Sequence, residues 1–307
     1  MRAIILREVL IFIVLPLIMF GQHKETDGIR VFFLGGQSNM VGYGVNKDLP
    51  KSLNQEFANV FIFHGNPSVV NDSLAGLGKW EKLKPGHGEM FSFDGYKNVM
   101  SNLFGVELSF AKKMQEIYPD QKIAIIKYSH GGTSIDSIQK VASWDPDYNG
   151  DKDKMGINQY DFFLRTIHNA YAISDIDSDG YSDRLIPSGI VWMQGESDAL
   201  HTEQVALRYY TNLKRLMDLI RAALHMDDLP VVIGKISDSG MNKEGKMWKY
   251  GELVQYAQEK YARIDKNTAI VRETKDYGYS DGAHYNSAGY ISLGESFASL
   301  LYELINK

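Results

Sequence analysis

From about residue 28 onward, short runs of β-branched and aromatic residues alternate with longer amphipathic stretches, and this alternation constrains the fold more than any other feature of the chain. The runs at 30–34, 59–63, 122–128, 188–193, 230–236 and 269–272 are too evenly apolar to leave a face in water. They read as strands, most of them buried on both sides. Between them, apolar residues recur at three- and four-residue steps over 105–118, 159–174, 202–224, 246–264 and 287–305, which predicts helices. Strands separated by helices imply an α/β fold, a three-layer α/β/α sandwich around a mainly parallel sheet. No repeat and no linker rich in Pro, Gly or Ser interrupts the pattern, so 22–307 reads as one domain. The Gly- and Asp-rich stretches 66–95 and 144–153 read as surface loops that frame a site.

The first 21 residues differ from the rest. Arg2 and Arg7 precede an apolar stretch at 9–20 that contains Pro16. It falls short of the ~20 residues a spanning helix needs, so 1–21 reads as a signal peptide, with an uncleaved anchor as the alternative. Export to the periplasm or the medium follows, with no stable membrane insertion expected after cleavage. The chain has no cysteine, which removes disulfides, thiolate metal sites and a cysteine nucleophile together. A net charge of −5 without any long run of Lys or Arg argues against nucleic acid as a partner.

In a sheet of this kind ligands bind at the carboxyl ends of the strands, so the segments following the apolar runs are where chemistry is sought. After the first run comes Gly35-Gly36-Gln37-Ser38-Asn39-Met40, a glycine turn that delivers Ser38 to a strand-to-helix junction as a nucleophile. A helix cap or a phosphate-cradling loop would use the same turn, although neither the Walker nor the dinucleotide spacing follows it. After the third run, Ser129-His130-Gly131-Gly132-Thr133-Ser134 brings paired glycines whose N–H groups can approach a reacting carbonyl. His130 reads there as a structural or substrate-facing residue more readily than as a base. After the run at 188–193, Gln194 offers an amide donor and Glu196 a carboxylate, while Ser197 or Asp198 would cap a following helix. Near the C-terminus, Asp281 stands three residues before His284 across a Gly-Ala turn, a spacing that lets a carboxylate hold Nδ1–H and leaves Nε2 free to take a proton. A plain turn opening the last helix would look alike.

The set GGQSNM, SHGGTS, WMQGESD and DGAHYN, in this order, resembles the sialate O-acetylesterase domain and carbohydrate esterase family six, within the SGNH hydrolases. The resemblance spans roughly 30–301 and implies a flavodoxin-like SGNH fold and hydrolysis of O-acetyl groups on carbohydrate, of acetylxylan or sialate type. Carried over, it makes Ser38 the nucleophile, His284 the general base and Asp281 its orienting carboxylate. The oxyanion hole would be the N–H of Ser38, the N–H of Gly132 and the side chain of Gln194. Glu196 matches the QGE segment, which in some members supplies the carboxylate paired with the histidine, so Asp281 and Glu196 compete for that role. No cofactor is expected for catalysis. The Gly-x-Ser-x-Gly elbow of α/β-hydrolase lipases is absent.

Two further readings accompany this one. Asp175, Asp177, Asp179 and Asp183 surround Gly180 at the spacing of oxygen-rich calcium loops, which suggests a structural calcium ion, although Ile186 stands where an EF-hand carries its bidentate Glu. The rival functions are a non-catalytic carbohydrate-binding protein using Trp80, Trp144 and Trp248 as sugar platforms, and an SGNH esterase acting on non-sugar esters.

Overall fold

Residues 28–68, 73–139, 142–148 and 158–307 are described by the computed structural model; the expected signal segment lies outside them. Strand β1 (Ile29–Gly36) runs through the middle of a seven-stranded sheet whose other members are β2 (Val60–His64), β3 (Trp80–Lys82), β4 (Ile123–Ser129), β5 (Leu185–Met193), β6 (Val231–Gly234) and β7 (Thr268–Val271). Their order across the sheet is β7-β6-β5-β1-β4-β2-β3. All neighbours are parallel except β2 and β3. The helices are α1 (Ser38–Val41), α2 (Glu107–Ile117), α3 (Gln159–Tyr171), α4 (Glu196–Leu200), α5 (Glu203–Ala223), α6 (Gly251–Ile264) and α7 (Ser287–Ile305).

The period of two along β1 shows why its run is continuously apolar. Phe32 points to one face, where its ring meets Phe110 of α2 at 5.4 Å, and Phe33 to the other, where it meets Phe163 of α3 at 4.7 Å. Helix α7 packs with α2 on the first face and presses Leu301 against Gly189 of β5. Helices α5 and α6 pack together on the second face, where the Tyr160 hydroxyl of α3 donates to the Leu219 carbonyl of α5. The result is the three-layer α/β/α arrangement, and among the described residues no helix is long and apolar enough to cross a membrane.

Among the strands of the central sheet and the helices, two depart most from the sequence reading. Strand β3 was not foreseen, and it pairs antiparallel on the edge of β2. Helix α6 starts at Gly251 rather than 246, because the Asp238 carboxylate accepts the N–H groups of Gly240, Met247 and Trp248 and holds that stretch in a loop.

At the carboxyl end of β1 the chain passes so close to β5 that a side chain has no room. A Cβ on Gly36 would lie 2.0 Å from the Met193 carbonyl oxygen, and its φ of +145° is itself strained for other residues. Gly36→Ala should therefore destabilise the fold by at least about 1–3 kcal/mol, the ordinary cost of overpacking, as read from urea unfolding. An unchanged midpoint would mean that β1 and β5 can separate freely at this point.

Candidate active site

Ser38 opens α1 and is 8% exposed. As the first residue of a helix its N–H has no intrahelical acceptor. Facing it is the turn after β4: a Cβ on Gly131 would stand 3.7 Å from Ser38 Cβ and 3.9 Å from the Tyr43 hydroxyl. Gly132 has φ +70° with nothing within 4 Å of where a side chain would begin, and among the described residues its N–H has no hydrogen-bond partner. Two unspent backbone donors thus lie around the serine.

His284 sits on the loop before α7. Its Nδ1 is 2.8 Å from Asp281 Oδ2, while Asp281 Oδ1 accepts the N–H groups of Ala283 and His284. Burial alone would raise the Asp281 carboxyl, but these hydrogen bonds and the imidazole outweigh it and hold the group below its usual range. The Tyr43 ring lies flat on the imidazole, centroids 3.7 Å apart and 9° between planes.

What joins serine to histidine is Asn39, which the sequence reading passed over. Its amide donates to the Ala283 carbonyl at 3.1 Å, and its Oδ1 accepts the Tyr285 N–H at 3.3 Å and the Tyr290 hydroxyl at 2.9 Å. The residue next to Ser38 therefore grips the chain on both sides of His284. The same amide donates to Glu196 Oε1 at 2.7 Å. Glu196 makes no bond to the imidazole; burial raises its carboxyl, opposed by Asn39 and the nearby His284, and its Oε2 is buried without a partner among the described residues.

Gln194 requires a correction. Its side chain is fully buried, and its amide nitrogen faces the Thr133 carbonyl at 3.0 Å, Asp198 Oδ2 at 2.5 Å and Gln37 Oε1 at 3.2 Å, while its oxygen accepts from Tyr209. Two amide hydrogens are already shared among three acceptors, so none is left for an oxyanion. The expected cap of α4 also comes from elsewhere, since Gln37 Oε1 accepts the N–H groups of Gly195 and Ser197. Asp198 instead accepts from Ser134 Oγ and the Ile135 N–H, tying the glycine turn to α4. Trp80, Trp144 and Trp248 are buried in the core, which removes the sugar-platform reading.

A pocket of about 420 Å³ opens beside this cluster, lined in part by Tyr43, His64, Glu89, Phe91, His130 and Gly131. Beneath it Lys127 is wholly buried, its ammonium donating to Glu107 Oε2 at 2.8 Å and to the carbonyls of Val41 and His87. His64 and His87 share a hydrogen bond between their Nδ1 atoms, 3.3 Å apart. Burial first, and then the Lys127 charge, push both imidazoles well below their usual range. His130, expected as structural or substrate-facing, turns Nδ1 to the Gly131 carbonyl, and burial lowers it too. A larger cavity, about 670 Å³, lies between α3 and α5 beside Pro187, at the opposite end of the strands from these residues.

In the acidic loop, oxygens of Asp175, Asp177 and Asp183 lie within 4.8 Å of one another. Asp179, the fourth expected ligand, is not one of that group, and its Oδ1 accepts the Tyr181 N–H. Lys122 extends its ammonium among Asp177, Asp179 and Asp183 and supplies part of the countercharge.

A glycine-turn serine, a bonded Asp-His pair and free N–H donors on a parallel α/β sheet are compatible with ester hydrolysis. The family model described as carbohydrate esterase, sialic acid-specific acetylesterase, matches residues 28–303, and the chain belongs to that family. Its members' general chemistry is O-acetyl ester hydrolysis. No curated protein is significantly similar in sequence. Among solved structures, a protein from Arabidopsis thaliana shares 20% identity at a TM-score of 0.63, covering 90% of this chain and 98% of its own. A carbohydrate acetylesterase from Xanthomonas citri shares 18% at 0.60, with 90% of this chain and 56% of its own covered. NanS shares 12% at 0.57, with 91% and 97% covered. At these identities the likeness speaks for the fold.

Asp198 yields a test of the link between the turn and α4. Burial, helped by the Asp136 charge and opposed by its hydrogen bonds, pushes its carboxyl up from 3.8 to about 7. A folded value above the unfolded one means that the folded state holds the proton more tightly. The stability it contributes is complete below about pH 4 and is lost as pH rises toward 7. The melting temperature of the wild type should thus fall more steeply between pH 4 and 7 than that of Asp198→Asn. Parallel profiles would place the titration elsewhere.

Proposed function

We propose that the chain is an exported serine esterase that removes O-acetyl groups from carbohydrate through Ser38, His284 and Asp281. The observation that carries this reading is the Asp281–His284 bond of 2.8 Å, on a loop that Asn39 ties to the residue beside the serine. Asp281 fixes the imidazole with its proton on Nδ1, so that Nε2 accepts the Ser38 proton as Oγ attacks the acetyl carbonyl. The tetrahedral oxyanion takes hydrogen bonds from the N–H groups of Ser38 and Gly132. His284 then protonates the departing sugar oxygen, leaving an acetyl-serine, and water repeats the sequence to release acetate. Glu196 acts through Asn39 as a positioning residue, since its only described side-chain bond is to that amide.

For the acidic loop we propose that Asp175, Asp177 and Asp183 hold a calcium ion in competition with Lys122, with an effect on stability and none on chemistry. Carboxylates at this spacing suit a hard cation, and the lysine would have to give way.

Acetate release from acetylated xylan by residues 22–307 tests the catalytic reading. Ser38→Ala should lower turnover by 10³ or more, and Asp281→Asn by at least about 10², because the amide favours the wrong imidazole tautomer. Glu196→Gln, which can still accept from Asn39, should cost less than about tenfold. The reverse ranking of the two acid variants would assign the histidine's partner to Glu196. For the loop, millimolar calcium should raise the melting temperature, more so in Lys122→Met, and no response in either protein would sink that assignment.

A further inference from the structure

We propose that the pocket beside Ser38 selects a neutral acetylated sugar and rejects a carboxylated one, with Glu89 as the residue that discriminates; this rests on the esterase reading above. The pocket reaches the reacting groups through two of its walls: Gly131 borders Ser38, and Tyr43 lies against the His284 ring. Whatever carries the acetyl group therefore extends into it.

The charges of the described lining have one sign. Among the described residues that line the pocket there is neither lysine nor arginine, and its ionisable side chains are Tyr43, His64, Glu89 and His130. Both histidines are held toward their neutral forms by burial. Lys127 beneath is sealed off, with its ammonium committed to Glu107 and two carbonyls. Asp281 adds a second, half-exposed carboxylate close enough to act on Tyr43. A sugar carboxylate entering here would meet negative charge with no partner, whereas hydroxyls would find acceptors and neutral imidazoles.

Glu89 is also held in place rather than free to swing away. The Gly88 N–H donates to the Leu103 carbonyl, the Glu89 N–H to the Gly42 carbonyl and the Phe91 N–H to the Gly88 carbonyl. Met90 between them takes φ +70°, a conformation that costs energy outside glycine and recurs at ligand sites. Phe91 is fastened by stacking on His64 at 3.9 Å, and the Glu89 carboxylate meets the Tyr43 phenol, raising it together with the larger effect of burial. An acid fixed by the backbone on both sides and by a phenol at its tip serves as a selector.

The test compares kcat/KM on O-acetylated methyl xyloside with that on O-acetylated sialic acid, using the intact mature protein. The neutral sugar should win by at least tenfold at low salt, and the ratio should shrink at 0.5 M NaCl as screening sets in. Glu89→Gln should narrow the ratio and Glu89→Lys should narrow it further or reverse it. Equal or faster turnover of the carboxylated sugar by the wild type, or a ratio that both Glu89 variants leave unmoved, overturns the proposal. Hydrolysis of p-nitrophenyl acetate separates the two claims, since failure on every ester defeats the esterase reading instead. In that event titration calorimetry of Ser38→Ala with methyl xyloside and with sialic acid makes the same comparison by affinity, and tighter binding of sialic acid overturns the selection.

Discussion

One buried amide holds this site together. Asn39 is 1% exposed, and its side chain bonds Glu196, the Ala283 carbonyl, the Tyr285 N–H and the Tyr290 hydroxyl. Each of those groups would be costly to leave unpaired out of water, so the amide fixes the spacing of three segments that meet only in the folded state. The first segment carries the serine, the second the QGE acid and the third the histidine. The proposed proton transfer requires a hydroxyl and an imidazole held within a few tenths of an ångström, and the bonds that converge on this amide supply that stiffness. Glu196 is then intelligible as part of the frame. Its raised carboxyl and unpaired Oε2 record the cost of placing an acid where the frame required an acceptor.

The turn after β4 is tethered in the same manner. Asp198 and the Gln194 amide clamp Thr133 to Ile135, and Tyr209 and Gln37 close the remaining valences of Gln194. The turn that offers the Gly132 N–H thus has its far side bolted to α4, while its near side remains open. Preorganised donors need not rearrange when charge develops, which is what the proposed oxyanion role of this turn requires.

How much of this could be read in the sequence depended on how local the determining contacts are. The inner strands were legible because burial on both faces leaves runs such as Val60–His64 and Ile123–Ser129 with almost no polar interruption. Strand β3 was not, since Trp80-Glu81-Lys82 carries a single apolar residue and takes its backbone partners from β2. The Asp281–His284 pair was legible for the same reason: it closes within three residues. Asn39 and Gln194 owe their roles to partners as far away as 251 and 157 residues, so no spacing could show that one amide is the hub and the other is already spent. The tryptophans misled because aromatic composition says nothing about which face a ring takes; Trp144 packs edge-on against Trp192 at 5.0 Å in the core.

The edge strand has a consequence of a different kind. Sheets that end in a bare strand invite another chain to add to them, and long flat apolar edges are where aggregation begins. Here the edge beyond β2 is closed by three residues only, with the Trp80 indole turned inward and donating to the Ala170 carbonyl, while Lys82 is exposed and Glu81 partly so. Further growth of the ladder on that side would have to desolvate a charge at each step outward. The strand that the sequence concealed is thus a stop, and it protects the side of the sheet that leads into the pocket through His64 from being paired by a neighbour.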